Sequence, residues 1–171
     1  MRTVHAQQAS LGFTLVELVM VIVILGVLAV YVAPRLVDKQ DLYAKGFHDE
    51  TLAYLRYAQK TAIAQRRTVC IAFGTNSLSL QIALNAPTGA TTNADCTAFA
   101  PSFVGPKGES PPLLSAKGSV IYSPTPTTLN FNGLGQPTSG AGVVLTTRSS
   151  LQVQGAPNTI IVEAATGYVH D

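Results

Sequence analysis

The stretch Gly12-Phe13-Thr14-Leu15-Val16-Glu17-Leu18 heads an apolar run that reaches Ala33. From Phe13 to Ala33 there are 21 residues, and Glu17 is the single charged side chain among them. A helix of that length measures about 31 Å at ~1.5 Å per residue, close to the hydrocarbon thickness of a bilayer. A carboxylate at such a depth costs on the order of a few kcal/mol, so its presence points to a role. The segment before it, Met1 to Gly12, contains Arg2 and His5 and is too short and polar to span a membrane. A secretory signal peptide places its apolar region before a small-residue cleavage site. Here the apolar region follows the glycine. Arg2 on one side and Arg35 and Lys39 on the other do not set an orientation by charge.

Gly12 to Glu17 and the apolar run behind them resemble the prepilin signature of type IV pilins and of the pseudopilins of type II secretion. The resemblance implies that prepilin peptidase cuts between Gly12 and Phe13, that the new N-terminal Phe13 is methylated, and that Glu17 guides docking into a filament. It also implies a leader over residues 1–12 on the cytoplasmic side, a transmembrane and filament-core helix over 13–33, and a periplasmic domain over 34–171. The expected partners are the inner membrane, its assembly platform, and other pilin or pseudopilin subunits. In this family the helix between a similarly placed glycine and proline can lose helicity on assembly. Gly26 and Pro34 hold those places, and a simple kink at Pro34 is the other reading.

The remaining residues suffice for one globular domain with its own core. The net charge of +2 creates no strong field toward nucleic acid. Charged residues make up only 12%, and small and turn-forming residues fill the second half. β-branched clusters recur between these breakers, which reads as short strands and not as disorder. Phe47, Thr51, Tyr54, Leu55, Ala58 and Ala62 mark one face of a helix over about 35–67. Gly46 interrupts the pattern, and Arg66 and Arg67 suit the C-terminal end, where cations complement the helix dipole.

Past that helix the period changes. Residues 68–73 and 77–84 read as a hairpin, with Asn76 in its turn. Residues 85–112 read as loop. Further strands are expected at 119–122, 127–131, 143–147, 150–153 and 159–163, with a short edge strand at 168–170 and turns at 132–135 and 139–142. The fold class is α+β: a long N-terminal helix, membrane-embedded in its first half, packed on a mostly antiparallel sheet over about 68–170. In an oxidising compartment Cys70 and Cys96 could be bonded; two separate thiols is the alternative.

The segments 55–64 with 67–69, 129–135, and 160–169 resemble the GspH/FimT family of minor pilins and pseudopilins. That resemblance implies a minor pilin that primes or supports a pilus or its tip, with a pseudopilin aiding protein export as the alternative. DNA-binding members carry a basic C-terminal stretch. Here Tyr168, Val169, His170 and Asp171 supply no Arg or Lys, so DNA is not expected as a partner. Arg66, Arg67, Lys107, Lys117 and Arg148 could offer only a few phosphate contacts.

Catalysis needs clustered acid, base or nucleophile candidates. The three histidines, His5, His48 and His170, are scattered. His48 is expected in solvent and His170 in a polar tail. No HExxH, P-loop, GxSxG or CxxC spacing occurs, so no enzyme, metal or cofactor is expected.

Overall fold

A computed structural model of the protein describes residues 13–32, 39–84 and 96–171. The chain falls into two compact units that divide between Lys39 and Gln40. The first contains the helix α1 (Leu15–Val32).

The second opens on α2 (Lys39–Gln65), followed by β1 (Val69–Phe73), β2 (Ser77–Ile82), β3 (Leu113–Ser115), β4 (Leu129–Phe131) and β5 (Pro137–Ser139). It closes with β6 (Ser149–Gln152), β7 (Thr159–Val162) and β8 (Val169–His170). Five strands form one sheet in the order β3-β2-β1-β4-β5, and three form another, β6-β7-β8. Every pairing within them is antiparallel. The fold is thus α+β, with helix and antiparallel sheets, and its β-structure is divided in two.

α2 buries the face that its spacing predicts: Phe47, Thr51, Tyr54, Leu55, Ala58 and Ala62 are all buried. Phe47, Tyr54, Leu55, Ala58 and Ala62 share one core with Val69 and Ile71 of β1, Leu78 and Leu80 of β2, Phe131 of β4, and Leu151, Ile160 and Val169 of the second sheet. Each Val, Leu, Ile or Phe side chain among them contributes roughly 1.5–3 kcal/mol by leaving water. Gly46 does not break α2; the helix runs through it on the solvent side.

Tyr122 joins helix and sheets. Its hydroxyl lies 2.8 Å from the Thr51 hydroxyl, and its ring stands 4.9 Å from Phe47 and edge-on to Phe73 at 5.8 Å. Its N–H donates to the Thr75 carbonyl at 2.8 Å, while Ser123 N–H donates to Gln152 at 2.9 Å. Residues 119–122 therefore do not form the expected strand. The segment crosses between two sheets and touches Val153 through one isolated bridge. Likewise, 143–147 makes a single bridge, Val144 to Thr138, because the turn closed by Gly142 N–H on Ser139 holds it against β5.

The end of α2 is closed by two bonds: Arg66 N–H to the Ile63 carbonyl at 3.3 Å and Arg67 N–H to Ala62 at 3.2 Å. This is a Schellman cap, with Arg66 in the left-handed position at φ 49° where glycine is usual. Cys70 on β1 is joined to Cys96 by a disulfide, with 5.9 Å between their Cα atoms.

His48 is buried at 3% exposure, contrary to the solvated position its sequence context suggests. It sits one residue after Phe47 and three before Thr51, on the edge of the buried face. Its Nδ1 lies 3.1 Å from the Asp49 carboxylate, and its Nε2 has no partner among the described residues.

Candidate functional site

Thr14 starts α1. Its side-chain oxygen accepts a hydrogen bond from the Glu17 N–H at 3.3 Å, and its carbonyl accepts from the Leu18 N–H at 3.2 Å. Thr14 is therefore the N-cap, and Glu17 occupies the first turn, where a negative charge favours the helix dipole. The Thr-x-x-Glu spacing that gives this start is legible in the sequence as a capping signal, though attention to the Glu17 charge alone passes over it.

Residues 13–29 are all exposed in the single chain. Phe13 is 80% exposed and Leu28 still 53%, with Val, Met, Ile and Leu side chains between them on every side of the helix. An all-round apolar helix is not stable facing water; it needs lipid or other protein around it. Among the described residues no helix is long and apolar enough to cross a membrane. The described part of α1 has 18 residues, or about 27 Å, short of the 21 expected from the sequence. Gly26 lies inside this helix with open space around it. Gly12, Pro34 and the leader fall outside the described residues; of the Gly26 to Pro34 segment, the part through Val32 is described and is helical.

In the second unit, the segments 55–64, 129–135 and 160–169 come together around Gln59. The Gln59 amide donates to the Thr166 carbonyl at 2.8 Å and to Gly135 at 3.5 Å. A Cβ on Gly167 would collide with the Gly135 carbonyl, and one on Gly135 with the Ile63 side chain. Both glycines have positive φ, so their turns are shaped for this contact. Nothing in the local sequence singles out Gln59 for this place.

Among the described residues three basic side chains are already engaged. Arg67 donates to the Ala83 carbonyl, Lys107 pairs with Glu50 at 2.8 Å, and Arg56 donates to the Val169 carbonyl at 2.9 Å, capping the edge of β8. His170 is not a free tail: its Nε2 lies 3.1 Å from Glu163 and its ring stacks on Tyr168. Among the described residues no group of three or more His, Cys, Asp or Glu could hold a metal.

Residues 8–33 match the model of the prokaryotic N-terminal methylation motif. The chain is also similar to the type IV narrow pilus major component PilA5 of Thermus thermophilus, with 41% identity over 58 residues. That alignment covers 34% of this chain and 50% of the relative, so the chain spans about half the length of the curated protein it matches. No solved structure matches the chain. An N-terminal methylation motif, a helix that opens on Thr14 and Glu17 with apolar side chains on every side, and an α+β body of helix and antiparallel sheets together make this chain type IV pilin-like.

Proposed function

We propose that the protein is a minor type IV pilin of the GspH/FimT kind, cut by prepilin peptidase between Gly12 and Phe13, methylated on Phe13, and built into a pilus or its tip. The observation that carries this reading is α1. It exposes apolar side chains all round, and its one charge, Glu17, sits in the first turn. Before assembly the segment 13–33 lies in the inner membrane; afterwards it packs against equivalent helices of neighbouring subunits. Lipid tails are as apolar as leucine, so specificity has to come from close packing and a polar contact. Glu17 supplies that contact, with the amine of a neighbouring Phe13 as its partner. The role is structural and not catalytic.

The globular domain, about 34–171, stands in the periplasm, and the Cys70–Cys96 bond suits that oxidising compartment. The convergence of three segments on Gln59 supports the minor-pilin reading, because those segments carry the resemblance to that family. The relative is named a major pilus component, and the match to it leaves two thirds of this chain outside.

A deletion strain tests the proposal, with sheared surface pili and exoprotein secretion measured on the same cultures. Lost pili with normal secretion is the expected result. Normal pili with lost secretion would make the protein a type II secretion pseudopilin. Gly12→Asp should leave a slower-migrating, unprocessed precursor; normal maturation would refute the assigned cut.

A further inference from the structure

The two arginines that end α2 have different fates. Arg66 is exposed at the left-handed cap, whereas Arg67 is partly buried and its Nη2 donates to the Ala83 carbonyl. The Arg67 Nε–H is buried and has no acceptor among the described residues. The Arg67 side chain also lines a cleft of about 330 Å³, together with Tyr57 and Gln65 of α2, Ile82 of β2, and Ser102 and Phe103 of the loop that follows Cys96. Tyr57 and Phe103 stack with centroids 6.2 Å apart and planes 21° from parallel, and the Tyr57 hydroxyl donates to the Val104 carbonyl at 2.6 Å. The aromatic wall is therefore fixed from both helix and loop.

Among the described residues no carboxylate lines the cleft, so none of them answers the Arg67 charge from within it. A guanidinium stays cationic at any physiological pH and makes its strongest bonds with oxyanions. The other polar groups on the wall, the Gln65 amide and the Ser102 hydroxyl, are neutral. One cation with neutral donors suits a monoanion better than a phosphate dianion, and the stacked Tyr57 and Phe103 rings give an otherwise polar wall one aromatic face. A volume near 300 Å³ is at the small end of ligand clefts, which run roughly 300–1,000 Å³.

We propose that this cleft binds a small carboxylate, received by Arg67. The carboxylate could come from the terminus or an acidic side chain of another polypeptide, or from a free organic acid. This goes beyond the assembly role, which rests on α1 and would stand or fall separately.

The test is a titration of the isotope-labelled full chain, in detergent micelles, with benzoate, following backbone amide resonances. Saturable shifts at Ala100, Ser102 and Phe103 are expected, with benzylamine and inorganic phosphate producing none. Arg67→Met should weaken benzoate binding at least tenfold. Ala100→Leu should do the same by filling the cleft while the Arg67 bond to Ala83 stays in place, and it decides the matter alone if Arg67→Met fails to fold. No saturable response to benzoate, an undiminished response in Ala100→Leu, or an equal response to phosphate would overturn the proposal. Two peptides then identify the source of the carboxylate. Binding by one with a free C-terminal phenylalanine points to a chain end, binding by an end-blocked one with an internal glutamate points to a side chain, and binding of benzoate alone points to a free acid.

Discussion

Glu109 accepts a hydrogen bond from the Tyr54 hydroxyl, and this contact ties the loop beyond Phe103 to the middle of α2. The second oxygen of the same carboxylate accepts from the Lys107 N–H at 2.9 Å, while the Lys107 ammonium reaches back to Glu50 on α2. Burial, then the bond and the charge of Glu109, push the Tyr54 hydroxyl well above the usual tyrosine range. For Glu109, burial acts upward but is outweighed. The Tyr54 bond, backbone N–H groups and the Lys107 charge hold its carboxyl below the ordinary value.

These shifts predict how stability follows pH. Tyr54 holds its proton more tightly when folded, so its contribution is full below the ordinary value of 10.0 and declines as pH rises beyond it. Glu109 gives up its proton more readily when folded, so its contribution is present above the ordinary 4.5 and is lost as pH falls through the lower folded value. Tyr54→Phe should cost about 1 kcal/mol at neutral pH and flatten both arms. Tyr122, also raised by burial, keeps part of the alkaline arm. Urea midpoints measured across pH check this; an unchanged acid arm in Tyr54→Phe would count against the Glu109 assignment.

Two glycines should respond in opposite directions to the same substitution. Gly46 lies in α2 with nothing within 4 Å of a Cβ, so Gly46→Ala should stabilise by about 0.5–1 kcal/mol. Gly167 has φ 67° and its Cβ site is occupied by the Gly135 carbonyl. Gly167→Ala should cost more than about 2 kcal/mol. Thermal unfolding of the two variants beside the parent gives both signs at once.

His48→Leu should be neutral or stabilising, by up to about 1 kcal/mol. The substitution removes a buried nitrogen without a partner and forgoes only a contact with exposed Asp49. A loss of several kcal/mol would mean that Nε2 has a bonding partner in solution.

Replacing both Cys70 and Cys96 by serine should cost about 3.5 kcal/mol, the chain-entropy value for a loop closed over 26 residues. The denaturant midpoint of the double variant should match that of the reduced parent. A difference between the two would point to the serine side chains themselves.

Glu17 offers a separation of charge from helix start. The Thr14 side chain, not the Glu17 carboxylate, accepts the bond that begins α1, so Glu17→Gln keeps the cap and removes the charge. If the carboxylate makes the inter-subunit contact, both Glu17→Gln and Glu17→Val should mature normally yet yield few sheared pili. Recovery of pili in Glu17→Gln at the parental level would remove the charge from the mechanism.

The parts legible in the sequence are those that a period can report. The buried face of α2 follows its three- and four-residue steps, and β1, β2, β6 and β7 lie within residue or two of the expected strands. β3 and β5 escape such reading. Each has three residues at a sheet edge beside a proline, Pro112 before one and Pro137 opening the other. An edge strand tolerates the missing N–H that elsewhere marks a break. Tyr122 looks like a strand residue and is instead a crossing point, because its neighbours in space come from three other elements. Arg66 and Arg67 read as one basic pair. Only the left-handed cap, which turns the chain between them, sends the first to solvent and the second to the cleft.

The disulfide and the bridge from Ala83 to Phe99 fasten both flanks of the segment between Leu84 and Cys96. Leu84 N–H donates to the Ala98 carbonyl at 2.8 Å and Ala100 N–H to Ile82 at 3.0 Å, closing the base like a buckle. Because Cys70 and Cys96 lie on opposite sides of it along the chain, a cut anywhere in that segment would leave both fragments covalently attached until a reductant is added.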